Sequence, residues 1–511
     1  MLTIAIRQAA LTRVSGAASV LAMSETFDAI IRGGTVIDGT GAPGVRADVA
    51  ISGDRIAKVG VVEGSAALEI DAAGMAVTPG FIDVHAHDDA AVLSTPMDFK
   101  LFQGVTTDVV GNCGAGVAPT MPDGSIVPFV TMVLGECANP TWRSFSEFML
   151  AVEDAKPALN VACMVPHGAV RYATMGMDSR APTDAELDEM RAKIADGMAA
   201  GAVGFSTGLI YPPGTFATTE EIVELAKVAA QHGAIYVSHI RDEGLLLMEA
   251  VKEAVRIGDE AGLPAQISHH KAGSSDVWGM TRDTIAFIEE RRAAGQDVTF
   301  DVYPYIAAST VLSAFARRTE RVDPESVLLA SVNGMPDWEG KRLTELADEL
   351  DLPADEVASR VLSQDPGATA IFFMMDEADV ARVIAHPQCM IGSDGIPSKG
   401  KPHPRLYGTF PRVLQKYVRE ERLFPLEEAV RKMTSLPAGR FQLTDRGVLR
   451  EGAFADVVTF DAERVTDIAT YHEPRQYPAG IGAVLVNGEL VVNGGKQTSQ
   501  HSGRLLRRSS P

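Results

Sequence analysis

The chain has 511 residues, 46% of them hydrophobic and 22% charged, an ordinary balance for a protein with a sizeable buried core. Its 46 basic and 67 acidic residues leave a formal charge of −21, a surface that repels phosphate backbones and anionic lipid and argues against nucleic-acid or membrane partners. Four scattered cysteines (Cys113, Cys137, Cys163 and Cys389) are too few for a disulfide framework and fit a reducing, cytoplasmic compartment, and no run is apolar and long enough to span a bilayer.

Residues 1–26 read as a disordered extension. Arg7 and Arg13 precede a small-residue stretch ending Ser19-Val20-Leu21-Ala22, a loose likeness to an export signal, but Arg13 interrupts the apolar centre. Met23 is an alternative start. Residues 27–79 follow as short strands and tight turns, with Gly53-Asp54-Arg55 marking a hairpin. A matching set near the other end, 445–493, includes Asp456–Phe460 and a run around the turn Asn487-Gly488. These two strand-rich ends predict one small β-sandwich domain built from both ends of the chain.

Between them, over 80–444, strand-like runs alternate with helix-like segments. The repeat is clearest at Gly201–Phe205, Ala234–His239, Pro264–His269 and Val298–Val302, with helices expected at 218–231 and 243–262. His239 and His269 are 30 residues apart, the length of one β-α unit. Such units repeated over roughly 350 residues predict an α/β fold, a closed (β/α)8 TIM-like barrel. The stretch 306–370 breaks the rhythm and reads as a polar insertion at one barrel mouth, with helix-like pieces after Pro324 and Pro353. The basic end of the chain, 494–511, reads as a disordered tail.

In such a barrel the active residues lie at the C-terminal ends of the strands. His85 and His87 end an apolar run as a His-x-His pair whose imidazoles share one face, an arrangement that suits a borderline-soft divalent metal such as zinc. Cys113, in Gly111-Asn112-Cys113-Gly114, follows the next apolar run; His239 and His269 end two more, and Asp394 follows the last. All six sit where strands give way to loops. His269 and His270 are adjacent, so at most one can face the site from a strand, and the repeat of Ser238-His239 in Ser268-His269 favours His269.

The order His-x-His, Cys, His, His and a late Asp resembles the amidohydrolase superfamily, and within it the N-acyl-D-amino-acid deacylases (D-aminoacylases). The likeness runs from about residue 27 to 493 and extends to Gly204–Tyr211, Ser238–Glu243, Ile267–Lys271, Val302–Tyr305, Gly392–Gly395 and His403-Pro404-Arg405. It implies a zinc-dependent hydrolase of a small-molecule N-acyl-D-amino acid, with Cys113, His239 and His269 on a tightly held zinc. His85, His87 and Asp394 would form a weaker second metal position. Asp394 would act as general base and then acid, and Arg405 with Tyr303 would hold the substrate α-carboxylate. Tyr305 and Lys271 are further pocket candidates, and Ala308 departs from the glycine expected beside the substrate. The competing readings are a cyclic-amide hydrolase of the hydantoinase or dihydroorotase type, which relies on a bridging lysine where this chain has Cys113, and a non-catalytic scaffold on the same fold.

Overall fold

The computed structural model describes residues 25–128, 130–131, 140–313, 322–498 and 501–508. The expected N-terminal extension up to residue 24, and Cys137, lie outside the described residues.

Eight parallel strands, neighbours in sequence and in space, make up the barrel. They are β1 (Phe81–Asp83), β2 (Val105–Val110), β3 (Asn160–Pro166), β4 (Gly204–Gly208), β5 (Ile235–His239), β6 (Ala265–Ile267), β7 (Val298–Val302) and β8 (Cys389–Ile391). Every residue in them is buried, as strands packed on both faces must be. Capped helices return the chain between strands. Thr218 accepts the N–H of Glu221 to open Thr219–Gln231, and Leu247–Ala261 ends at Gly262 with φ +74. The second of these helices starts later than expected: residues 243–246 are loop, which leaves Glu243 at the barrel mouth.

β1 and β8 form no ladder. Just beyond their ends Asp394 N–H donates to His85 O (2.7 Å), His87 N–H donates to Gly395 O (3.3 Å), and Ala86 bridges Gly395. The ring is thus closed at the level of the candidate ligands.

The chain ends meet through antiparallel pairing of Ala76–Pro79 with Val457–Phe460, inside one nine-stranded sheet. Ile31, Val49, Ile51 and Val77 from the N-terminal part share a core with Leu449, Val457 and Leu485 from the C-terminal part, so the sheet packs on itself as a small sandwich.

Two expectations need correction. The insertion is not merely polar and helical. Ala307–Val311, Val327–Ser331 and Thr369–Phe373 form a three-stranded antiparallel sheet, covered by Leu343–Leu350 and Ala354–Gln364 around their own apolar core. Pro353 does open a helix, but Pro324 opens a single 3-10 turn. The basic tail is not disordered as a whole either. Leu505 and Leu506 pair in parallel with Val161 and Ala162 of β3, and Arg504 and Arg507 form ion pairs with Asp54 and Glu153. Two leucines among the arginines supply the apolar contact that a reading from charge alone overlooks. Among the described residues no helix is long and apolar enough to cross a membrane.

Candidate metal centre

The six expected donors converge at the barrel mouth. His85 and His87 flank the bridge at Ala86, with ring centroids 5.4 Å apart. His85 Nε2 lies 3.2 Å from Cys113 Sγ and 3.5 Å from Asp394 Oδ1, while His87 Nε2 lies 3.1 Å from the same carboxylate oxygen. Cys113 Sγ is 3.6 Å from His269 Nε2, which is 2.9 Å from His239 Nδ1.

Local backbone geometry aims three of these side chains. Cys113 (φ +54), His269 (φ +34) and Asp394 (φ +49) all adopt the left-handed region, which costs a non-glycine residue ~1–3 kcal/mol. Gly111 permits the turn into Cys113, because a Cβ there would stand 2.2 Å from Met164 O. β6 ends at Ile267, so the choice between His269 and His270 is made by that left-handed turn rather than by strand alternation. His269 faces the cluster, and His270 Nε2 instead meets Thr284 Oγ1 at 2.8 Å.

The donors form three compact sets: His85 with Cys113 and His269; His85 with His87 and Asp394; and His239 with Glu243 and His269. The second set matches the expected weaker position. In the first, Cys113 and His269 are joined by His85 rather than by His239. Burial works against charge here, yet His85 and His269 hold the Cys113 thiol well below its ordinary range. Arg405 and His269 likewise hold Asp394 well below the carboxylate range, against its burial. Burial opposes protonation of His87, but the Asp394 hydrogen bond raises it to about 9. A thiolate and carboxylates that draw protons onto buried imidazoles would equally attract a divalent cation. Buried His87 Nδ1 and His239 Nε2 have no hydrogen-bond partner, and mixed thiolate and imidazole donors suit zinc.

Arg405 is 1% exposed. Its guanidinium stacks 4.4 Å from the Tyr303 ring, Nη2 donates to Ser309 O (3.3 Å), and Nη1 lies 2.8 Å from Asp394 Oδ2. That ion pair is close without being aligned, and Arg405 Nε and Nη1 make no hydrogen bond. A buried guanidinium whose Nε has no partner, beside the candidate metal donors, is suited to receive a carboxylate.

The amidohydrolase family profile matches residues 68–492. The chain belongs to the amidohydrolase family. It is 44% identical over 495 residues to the D-aminoacylase of Alcaligenes xylosoxydans xylosoxydans, covering 95% of this chain and 99% of that one. It is 43% identical over 490 residues to the N-acyl-D-glutamate deacylase of the same organism, covering 96% and 98%. A crystal structure of N-acyl-D-glutamate deacylase from Bordetella bronchiseptica, complexed with zinc and a phosphonate inhibitor, superposes with a TM-score of 0.88 at 41% identity over 94% of this chain and 100% of that one. A D-hydantoinase structure, at 16% identity and TM-score 0.60, shares the fold alone.

Some residues around the candidate site escaped the sequence reading. Glu243 Oε1 lies 3.2 Å from His269 Nδ1 and accepts from Lys271 Nζ (2.5 Å), which places Lys271 in the site as well. Asp301 lies 3.1 Å from His85 Nδ1, accepts the His269 N–H (2.9 Å), and accepts from Gln266 Nε2 (2.7 Å). A carboxylate behind a ligand imidazole fixes its tautomer and orientation. The available signal was an aspartate inside the apolar run Val298–Val302. Tyr305 stands away from the donors, with its hydroxyl bonded to Asp467 (2.9 Å).

Proposed function

We propose that this chain is a zinc-dependent hydrolase of N-acyl-D-amino acids, cleaving the linear amide to a carboxylate and a free D-amino acid. The observation that carries this reading is the pairing of six converging candidate metal donors with a buried arginine whose Nε has no partner, in a chain akin throughout to D-aminoacylases.

Cys113, His239 and His269 would hold the tightly bound zinc, with His85, His87 and Asp394 as the weaker second position; the shared placement of His85 and His269 supports both. Bound zinc supplies acidification of a coordinated water, towards a pKa of ~7. Asp394 is kept ionised by Arg405 and so is ready to take a proton and deliver it to the departing amine nitrogen. Arg405 binds the α-carboxylate with its guanidinium, which keeps Nε free and lies 4.4 Å from the Tyr303 ring. With the carboxylate and the amide carbon both fixed, the remaining space accepts one hand of the chiral centre, the D hand by kinship.

The cyclic-amide alternative loses support because Cys113 stands where those enzymes place a bridging lysine, and a non-catalytic scaffold does not fit a site that keeps all its donors. The buried, unbridged cysteines Cys163 and Cys389 support a cytoplasmic location. The test is a panel of N-acetyl-D- and N-acetyl-L-amino acids with neutral and acidic side chains, assayed with defined zinc. Turnover confined to the D series is expected, and an L preference or hydrolysis of cyclic amides alone would overturn the reading.

A further inference from the structure

Beneath the metal donors lies a buried ionic cluster that the proposed reaction does not use. Lys100, on the short helix Asp98–Leu101, is fully buried. Its ammonium donates to Asp83 and to Ser393 Oγ (3.0 Å), and lies 3.0 Å from Asp88 Oδ2 and 3.6 Å from Asp108 Oδ1. All three carboxylates are fully buried too.

The cluster sits at the one place where adjacent barrel strands fail to pair. Asp83 Oδ1 accepts the backbone N–H of His85 (3.1 Å) from one side of the seam and that of Ser393 (2.8 Å) from the other. Ser393 Oγ, held by Lys100, accepts the N–H of Gly395 (3.1 Å). Asp88 directly follows His87. One ammonium and one carboxylate therefore tie together the peptide that bears His85 and His87 and the peptide that bears Asp394.

Stability alone is a poor reason for such a cluster, since buried ion pairs are often no better than apolar residues of similar volume. We propose that Asp83 and Lys100 are positioning residues, which set Asp394 against His85 and His87 across the barrel seam. This rests on the assignment of those three residues as the weaker metal position and of Asp394 as the acid/base. Cys113, His239 and His269 hang from other strands, and neither Asp83 nor Lys100 touches them. The cluster thus bears most directly on the half of the site made by His85, His87 and Asp394, and reaches the other half only through His85, 3.2 Å from Cys113, and through Asp108 of β2, the strand before Cys113.

The experiment compares wild type with the charge-neutral double variant Asp83→Asn/Lys100→Met and with Ser393→Ala, which deletes the hydroxyl joining Lys100 to Gly395. Zinc binding to the apo-proteins is followed by calorimetry, and kcat and KM are measured at one zinc per chain. Wild type must first bind a tight and a weaker zinc; failure there removes the metal reading itself and not only this inference. The double variant should keep the tight zinc, bind the second ~10–100-fold more weakly, and lose kcat by a similar factor with KM within about twofold. Ser393→Ala should move the same quantities in the same direction by less. Unchanged second-site affinity and kcat in a folded double variant would overturn the proposal. So would equal weakening of both zinc sites, which marks general loosening. If the double variant does not fold, Ser393→Ala decides: wild-type values there refute the seam role.

Discussion

Replacing Arg405 with lysine keeps the charge but removes the planar fork, and the structure allows the loss to be sized. The wild-type guanidinium can form two charge-assisted hydrogen bonds to a carboxylate, each ~1.5–3 kcal/mol, of which an ammonium keeps one. It also lies 4.4 Å from the buried Tyr303 ring, a cation–π contact worth ~2 kcal/mol when desolvated, of which lysine would lose ~0.5–1 kcal/mol. The sum, about 2–4 kcal/mol, corresponds to a fall in kcat/KM of ~30–1,000-fold for N-acetyl-D-amino acids with a free carboxylate. When the carboxylate is masked as an amide the second bond becomes an ordinary neutral one, and the penalty should shrink by about tenfold or more. The assay is kcat/KM for free and amidated substrates in both proteins. The amidated series is the essential control, because Arg405 also lies 2.8 Å from Asp394 and holds its carboxyl down. A penalty passed through Asp394 would strike both series equally. An undiminished loss on amidated substrates would therefore refute carboxylate anchoring.

Cys113→Ala should lose the tight zinc and essentially all activity; full zinc content by elemental analysis would remove Cys113 from the ligand set. His269→Asn should cost metal and turnover while His270→Asn keeps its zinc, since His270 Nε2 is engaged by Thr284; equal zinc loss would contradict the left-handed turn at His269. Asp394→Asn should keep the tight zinc but lose kcat by ~10²–10⁴-fold, so near-normal kcat in zinc-replete protein would exclude the acid/base role. His403 accepts the Arg405 N–H on Nδ1 (3.0 Å) and donates from Nε2 to Ala307 O (3.0 Å), so it is neutral in the fold, and burial with Arg405 nearby keeps its pKa well below the ordinary value. Its folded pKa is depressed, so its contribution is complete above ~6.5 and lost as pH falls towards the folded pKa, at up to ~1.4 kcal/mol per pH unit. Urea midpoints between pH 7.5 and 5 should fall more steeply in wild type than in His403→Asn, and parallel slopes would exclude this contribution.

The barrel was legible because its strands are apolar runs at regular spacing, and the convergence of the six candidate donors because four imidazoles, a thiol and a carboxylate all fall where strands give way to loops. The insertion was read poorly. Its strands Ala307–Val311 and Val327–Ser331 are short and carry serine or threonine, and their partner Thr369–Phe373 lies far along the chain, so pairing that is plain in space leaves little local trace. The place of His403 was not legible because its partners, the Arg405 N–H and the Ala307 carbonyl, are backbone groups that no residue pattern reports. The tail failed for the opposite reason, because its arginines spoke louder than two leucines.

Deeper legibility stops at the backbone. Three candidate donors occupy left-handed conformations that regular strands do not supply, and something must hold each of them there. At Cys113 it is the close approach that only Gly111 permits. At His269 it is Asp301, whose carboxylate accepts the His269 N–H while standing 3.1 Å from the His85 ring. At Asp394 it is Asp83, which takes the N–H of neighbouring Ser393 while Lys100 neutralises it from behind. Asp83 and Asp301 thus play matching parts: each is an aspartate in an apolar strand, each accepts a backbone N–H beside a donor, and each also contacts the His85 peptide or its ring. In sequence such an aspartate looks like a lone polar residue in a buried strand, a local conflict with the hydrophobic pattern. Such conflicts are expected where a fold gives up stability for a site, and in this chain two of them sit directly behind the candidate metal donors.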